Sequence, residues 1–355
     1  MMQPVKYESF IGGQKTELFS LTNNYGVCIQ ITNYGGRLVS ITVPDKNGNF
    51  ADIILGYDSI RGYITDEAYM GAIVGRYADI IPNGCFVLNG KEYQLNKNYG
   101  QHSIHGGTKG FDKVVWNVLY NDNQSLKLHY FSKDGEGNYP GNLNVWATYT
   151  LTDDNELTLE FKAQTDADTI LNLTSHPYFN LAGHQSGKIP DHELYINARK
   201  FAPVNHDLIA INDLHFVKNT PFDFYKPRRI GDLIILDDDQ LKPADGYDHN
   251  FCMENEDKTL RLAAIVTDPV SGRSLAVITT EPALHFYSGN SLNNISGFTK
   301  DRAMYSKHAG LCLEAQNFPY SYRETHFPSG ILKADDKYKG LIIYKFGVNN
   351  QHSHE

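Results

Sequence analysis

Short runs rich in β-branched and aromatic residues follow one another from end to end of this chain. No long segment repeats its apolar residues with the 3.6-residue period of a helix. The clearest runs are VCIQI (27–31), LVSITV (38–43), LNVWATYTL (143–151), LTLEFKA (157–163), LAVITT (275–280) and LIIYKF (341–346). In LTLEFKA, Leu157, Leu159, Phe161 and Ala163 alternate with Thr158, Glu160 and Lys162, the pattern of a half-buried strand. Turn signals punctuate the runs: Asp45-Lys-Asn-Gly, Leu88-Asn-Gly, Asp134-Gly-Glu-Gly and Asp268-Pro-Val-Ser-Gly. Closely spaced strands without alternating helices predict an all-β chain, a large antiparallel β-sandwich rather than a parallel α/β fold. No low-complexity linker or fixed-period repeat interrupts the pattern, and all-β folds of this size can form one unit, so residues 1–355 are read as a single domain.

Composition removes several function classes. A net charge of −9 opposes nucleic-acid binding, which needs a basic face for phosphates. Cys28, Cys85, Cys252 and Cys312 contain no C-x-x-C pair, so neither a zinc ribbon, a thioredoxin-type redox site nor a disulfide framework is implied. No apolar stretch approaches the ~20 residues that span a bilayer. The opening MMQPVKYESFIGGQ has no charged segment followed by an apolar one, so no signal peptide is read and a cytoplasmic protein without membrane partners is expected. The 23 Tyr and 18 Phe serve mainly strands and cores, and such rings also offer flat faces to the C–H groups of sugars.

Four constellations carry candidate chemistry. In Gln101-His-Ser-Ile-His105-Gly-Gly-Thr-Lys-Gly-Phe111, two glycines permit a ligand to approach the main chain beside His105. The segment lacks G-x-x-x-x-G-K-[ST] and is no phosphate loop. In Leu171-Asn-Leu-Thr-Ser-His176-Pro-Tyr-Phe-Asn-Leu181, a strand-like TILNLT meets Pro177, which ends a ladder and leaves His176 at a strand terminus. In His308-Ala-Gly-Leu-Cys-Leu-Glu314-Ala-Gln-Asn-Phe-Pro319, alternation puts Leu311 and Leu313 on one face, Cys312 and Glu314 on the other. Partial burial there would raise the pKa of Glu314 and suit it to proton transfer. Asp245-Gly-Tyr-Asp248-His249-Asn250-Phe251 reads equally as a turn or as a polar cluster for hydroxyls, and lacks the spacing of a calcium loop. Taken singly, each histidine reads as well as a hydrogen-bonded structural residue, and Glu314 as well as a surface residue at a strand end.

In order along the chain these segments join Asn33-Tyr-Gly-Gly, Val43-Pro-Asp45 with Gly48, Leu55-Gly-Tyr-Asp58, Gly75-Arg-Tyr-Ala78, Ile104-His-Gly-Gly-Thr-Lys-Gly-Phe111, His176-Pro-Tyr-Phe-Asn-Leu181, Gly246-Tyr-Asp-His-Asn-Phe251, Thr280-Glu-Pro282 and Leu313-Glu-Ala-Gln-Asn-Phe-Pro319. The set resembles the aldose 1-epimerases (galactose mutarotases) from about residue 25 to 347. The resemblance implies a large antiparallel sandwich with an open sugar-binding cleft, and a reaction without cofactor or metal. Matched by motif, Glu314 would be the general base and His176 the general acid. His105 would bind the sugar beside its ring oxygen, and Asp248, Tyr178, Asp79 and His285 would contact the substrate. The implied partner is a free monosaccharide aldose, and the implied assembly a monomer or homodimer.

Opening a pyranose requires one group to take the C1 hydroxyl proton and another to protonate the ring oxygen O5. A carboxylate and an imidazolium meet that need near neutral pH. Two departures from the family pattern stand out. After Gly-Arg-x-Ala the family usually continues Asn-Arg, where this chain has Asp79-Ile80, and His285 stands where a substrate-contacting Gln is usual. The proton-transfer groups are retained while part of the hydroxyl-reading set is changed, which leaves the preferred sugar open. Three other classes compete: a non-catalytic sugar-binding protein on this fold, a hexose-6-phosphate epimerase, which would need clustered Arg or Lys, and a metalloenzyme built on His105, His176 and Glu314.

Overall fold

The alternating run 157–163 lies on the fourth strand of the nine-stranded largest sheet. The computed structural model describes residues 2–211, 213–253, 258–323 and 328–349. Nine strands pair antiparallel in the order Asn117–Asn121, Ser125–Ser132, Leu143–Leu151, Glu156–Thr165, Lys337–Val348, Arg273–Thr279, Arg261–Thr267, Glu193–Ile196 and Arg228–Arg229. Leu157, Leu159, Phe161 and Ala163 are buried as their period of two requires, while Lys162 is exposed. Each large apolar side chain so buried contributes about 1.5–3 kcal/mol.

A four-stranded sheet (Leu18–Thr22, Cys28–Thr32, Arg37–Pro44, Phe50–Asp52) and a five-stranded sheet (His215–Phe216, Lys200–Ala202, Asp248–Cys252, Ala283–Tyr287, Cys312–Gln316) pack with it. One apolar core runs through all three, joining Ile29 and Ile41, Leu159 and Phe161, and Phe251, Phe286 and Leu313. The described helices are two α-helices, Ile60–Ile64 and Ile230–Ile234, and short 3-10 turns. None is long and apolar enough to cross a membrane. All six quoted β runs fall on strands, with only Val27 and Thr280 lying one residue outside theirs. The Asn-Gly signal closes the hairpin between Cys85–Leu88 and Lys91–Gln94, with φ of 52° at Asn89 and 76° at Gly90, both in the left-handed region that a two-residue hairpin turn demands.

The strand-like TILNLT differs from the sequence reading: it is not one strand. Thr169–Ile170 pairs with Ile331–Leu332, and Thr174–Ser175 pairs with Ile73–Val74. Between them the Asn172 side chain donates to the carbonyls of Ala78 and Asn317, both at 3.2 Å, which fixes the crossover between two small ladders. That change of partner delivers His176 to the cavity described next.

Candidate active site

The five-stranded sheet separates chemistry from core by its period of two. Asn250, His285 and Glu314 are register partners across three adjacent strands, with Asp248, Tyr287 and Cys312 one step along. Their alternates Phe251, Leu284, Phe286, Leu313 and Ala315 point into the apolar core. The polar face forms one wall of a cavity of about 470 Å³, which Asp79, His105, His176, Tyr178, Asp248, His285 and Glu314 all line. Every residue singled out for the site from sequence is therefore brought to one place.

Glu314 sits mid-strand and is 1% exposed, not at a strand end on the surface. Its Oε1 lies 3.4 Å from His176 Nε2, and its Oε2 has no hydrogen-bond partner within the protein. Burial raises its pKa to about 8; His285 opposes the rise, and Asp79 and Asp248 add to it. Burial lowers His176 to about 3, with the positive fields of His285 and Arg37 adding. Burial thus favours the proton on Glu314 and a neutral His176, the reverse of the carboxylate and imidazolium expected from sequence. The cause is the dry floor, which penalises both charged forms. His176 is also braced by the Cys312 thiol at 3.4 Å from Nδ1 and by the Tyr178 ring at 5.0 Å.

His105 occupies the turn after Ser103–Ile104 at φ 53°, followed by Gly106 at φ 92°. A Cβ on Gly106 would fall 2.0 Å from the Gly75 carbonyl oxygen, so the close approach requires glycine. His105 Nδ1 accepts from the Asp79 N–H at 3.1 Å, which leaves Nε2–H as the donor of the neutral ring. The ring is half-buried by area yet closely walled by Tyr69 at 4.7 Å and His176 at 5.5 Å, and burial holds its pKa well below the usual range.

Asp79 does not present a free carboxylate. Its Oδ2 accepts from Asn250 at 2.8 Å and Gln316 at 3.2 Å, and its Oδ1 from the Ile80 N–H at 2.6 Å. His285 Nε2 meets Asp248 Oδ1 at 2.8 Å, while Nδ1 stands 3.8 Å from Asp79 and has no hydrogen-bond partner. Burial disfavours the charge on His285, but the Asp248 bond and the fields of Asp248 and Asp79 exceed that penalty and raise it to about 9. His285 is the imidazolium of this site.

His176, Cys312 and Glu314 bring a nitrogen, a sulfur and an oxygen within 4.8 Å of one another. Burial keeps the Cys312 thiol well above its usual pKa, so it sits beside His176 Nδ1 as a neutral thiol at 3.4 Å. Sequence reasoning placed Asn250 only within a polar cluster and gave Gln316 no role, although the period of two places them on the faces of Asp248 and Glu314. It also missed Tyr69, which belongs to no quoted motif and reaches His105 through a positive-φ turn at 56°.

A family model described as Aldose 1-epimerase matches residues 17–345. The galactose mutarotase of Bos taurus is 41% identical over 339 residues, covering 95% of this chain and 96% of that protein. The chain belongs to the aldose 1-epimerase family. A second relative, the aldose 1-epimerase of Escherichia coli K12, is 35% identical over 338 residues, covering 94% of this chain and 96% of the relative. The crystal structure of galactose 1-epimerase from Lactobacillus acidophilus aligns with a TM-score of 0.83 at 30% identity, over 98% of this chain and 99% of that one. An aldose epimerase homologue from C. elegans aligns with a TM-score of 0.84 at 27% identity, covering 94% of this chain and 100% of that chain. Ile80 presents a buried aliphatic side chain to the cavity, paired across its short ladder with Ile104.

Proposed function

We propose that this chain interconverts the α and β anomers of a free aldose, with Glu314 and His176 as the proton-transfer pair. One observation carries the reading: two titratable groups 3.4 Å apart on a buried cavity floor, one with an oxygen awaiting a donor. Between their upper and lower pKa values the pair holds one proton and titrates as a unit. A C1 hydroxyl donating to Glu314 Oε2 favours the carboxylate, and the shared proton then moves to His176 Nε2. Glu314 takes the O1–H proton, His176 protonates O5, and the C1–O5 bond breaks to give the open aldehyde. Rotation about C1–C2 presents the other carbonyl face, and closure runs the same transfers backwards.

His105 donates from Nε2 to the ring-oxygen side as a neutral group. Asp248 and His285, on the strands beside Glu314, meet hydroxyls, and Tyr178 and Asp79 shape the pocket around them. The apolar core shared by three sheets supports one domain holding all these parts. Polarimetry on galactose, glucose, xylose, arabinose and one sugar phosphate tests the proposal. Accelerated equilibration of a free sugar is expected. Sugar binding without acceleration would instead make this a binding protein, and acceleration confined to the phosphate would make it a sugar-phosphate epimerase.

A further inference from the structure

We propose that His285 is a positioning residue whose imidazolium, clamped between Asp248 and Asp79, keeps the Glu314 carboxyl able to exchange its proton. The inference rests on the assignment of Glu314 to proton transfer. Strand register sets His285 directly beside Glu314, with Asp248 at 2.8 Å from one ring nitrogen and Asp79 at 3.8 Å from the other. The second nitrogen, Nδ1, is buried and without a hydrogen bond, so the cation keeps an open side.

The groups facing Glu314 explain why a cation is needed. Asp79 and Asp248 oppose its ionisation, and burial opposes it more strongly. His176 at 3.4 Å is neutral, Cys312 is protonated, and Tyr178 and Tyr344 are neutral phenols held far above their usual pKa. Arg37 is tied to Asp66 at 2.7 Å, and Lys113 acts on Asp112. Ile80 carries no charge. Among the described residues, His285 is the cation that acts on Glu314, and it is raised enough to stay charged across neutral pH. Its own charge is secured by the same two aspartates that burden Glu314, so the three groups offset one another.

A unit charge one strand away, about 6 Å off in a medium of effective dielectric near 20, moves a neighbouring pKa by about one to two units. His285→Gln removes that charge, keeps a hydrogen-bonding side chain, and leaves Asp79 and Asp248 uncompensated. The upper pKa of the Glu314–His176 pair then rises, and the alkaline limb of kcat/KM moves to higher pH by that amount. The ¹³C titration of the Glu314 carboxyl moves with it, and His285→Arg returns both toward wild type. In wild-type protein the Glu314 signal should also inflect as the His285 ring titrates, a measurement that needs no variant to fold. An unmoved limb and an unmoved carboxyl titration in folded His285→Gln, or no inflection in wild type, would overturn the proposal. If Glu314→Gln keeps its turnover while the carboxyl titration still follows His285, the assignment of Glu314 fails and the charge coupling stands.

Discussion

Replacing Glu314 with Gln keeps the shape of the side chain and removes its proton. The carboxyl is almost wholly buried and titrates near 8 in the fold, against 4.5 for the free group. Between those two values the native protein holds a proton that the unfolded chain has released. The stability Glu314 contributes is therefore complete below pH 4.5, declines as pH rises, and is gone above 8. A separation of several pH units corresponds to a few kcal/mol, on the order of the change expected between pH 5 and 8.5. Glu314→Gln has no such group, so its stability relative to wild type should climb across that window by a similar amount. Glu281, raised by burial to about 7, contributes to the same window in both proteins and cancels from the difference. Urea unfolding followed by the fluorescence of buried Trp116, at several pH values, measures the difference directly. Turnover should fall by ~10²–10⁴, as for a lost proton-transfer group, with the circular dichroism unchanged. Parallel pH dependences in the two proteins would show that Glu314 ionises freely in the fold and refute the electrostatic argument.

His176→Asn should lower kcat by a similar order while sugar binding persists, and His105→Asn should raise KM as well as lower kcat; an effect of His176→Asn confined to KM would exchange the two roles. His176 and His249 are held to about 3 and His192 to about 4 by burial, so the unfolded chain takes up protons that the fold refuses. Stability present above pH 6.5 is lost as pH falls toward those values, and circular dichroism against pH should report a steep acid transition that shallows in His249→Gln. Ile80→Arg can form a charge-assisted bond worth about 1.5–3 kcal/mol, so KM on galactose should drop roughly tenfold or more; an unchanged KM on every sugar would mean that position 80 does not read the substrate.

The fold was legible because strand periodicity needs no tertiary information. Leu157, Leu159, Phe161 and Ala163 announce their buried face in the sequence, and the structure buries them. The interruption at Asn172 was not legible, because two side-chain hydrogen bonds to Ala78 and Asn317 decide it from distant parts of the chain. The same division holds for the site. His105, His176 and Glu314 were found through motif and resemblance, and the face shared by Cys312 and Glu314 through alternation. The protonation states were not found, since they depend on how dry the floor is and on the placement of Asp79, Asp248 and His285 around it. Tyr69 had no local signal at all: its contact with His105 follows from a turn whose path only the packed chain defines.

The two departures from the family pattern form one electrostatic arrangement. By the resemblance, Ile80 stands where a permanent cation would line the cavity wall, and Asp79 stands as a carboxylate where Asn would be beside it. Left alone, those changes would push the already buried Glu314 further from ionisation, because Asp79 acts on it in the same sense as burial. His285, where the resemblance leads one to expect Gln, returns a positive charge on the strand next to that of Asp248, within 3.8 Å of the Asp79 carboxylate. The aspartates raise the histidine, and the histidine lowers the glutamate. A guanidinium holds its charge at any working pH, whereas this imidazolium holds it only while Asp248 stays within hydrogen-bond reach at 2.8 Å. On the proposed assignment, a hydroxyl that competes for Asp248 would also alter the charge state of His285, and through it Glu314, so sugar recognition and proton transfer would share the same three side chains.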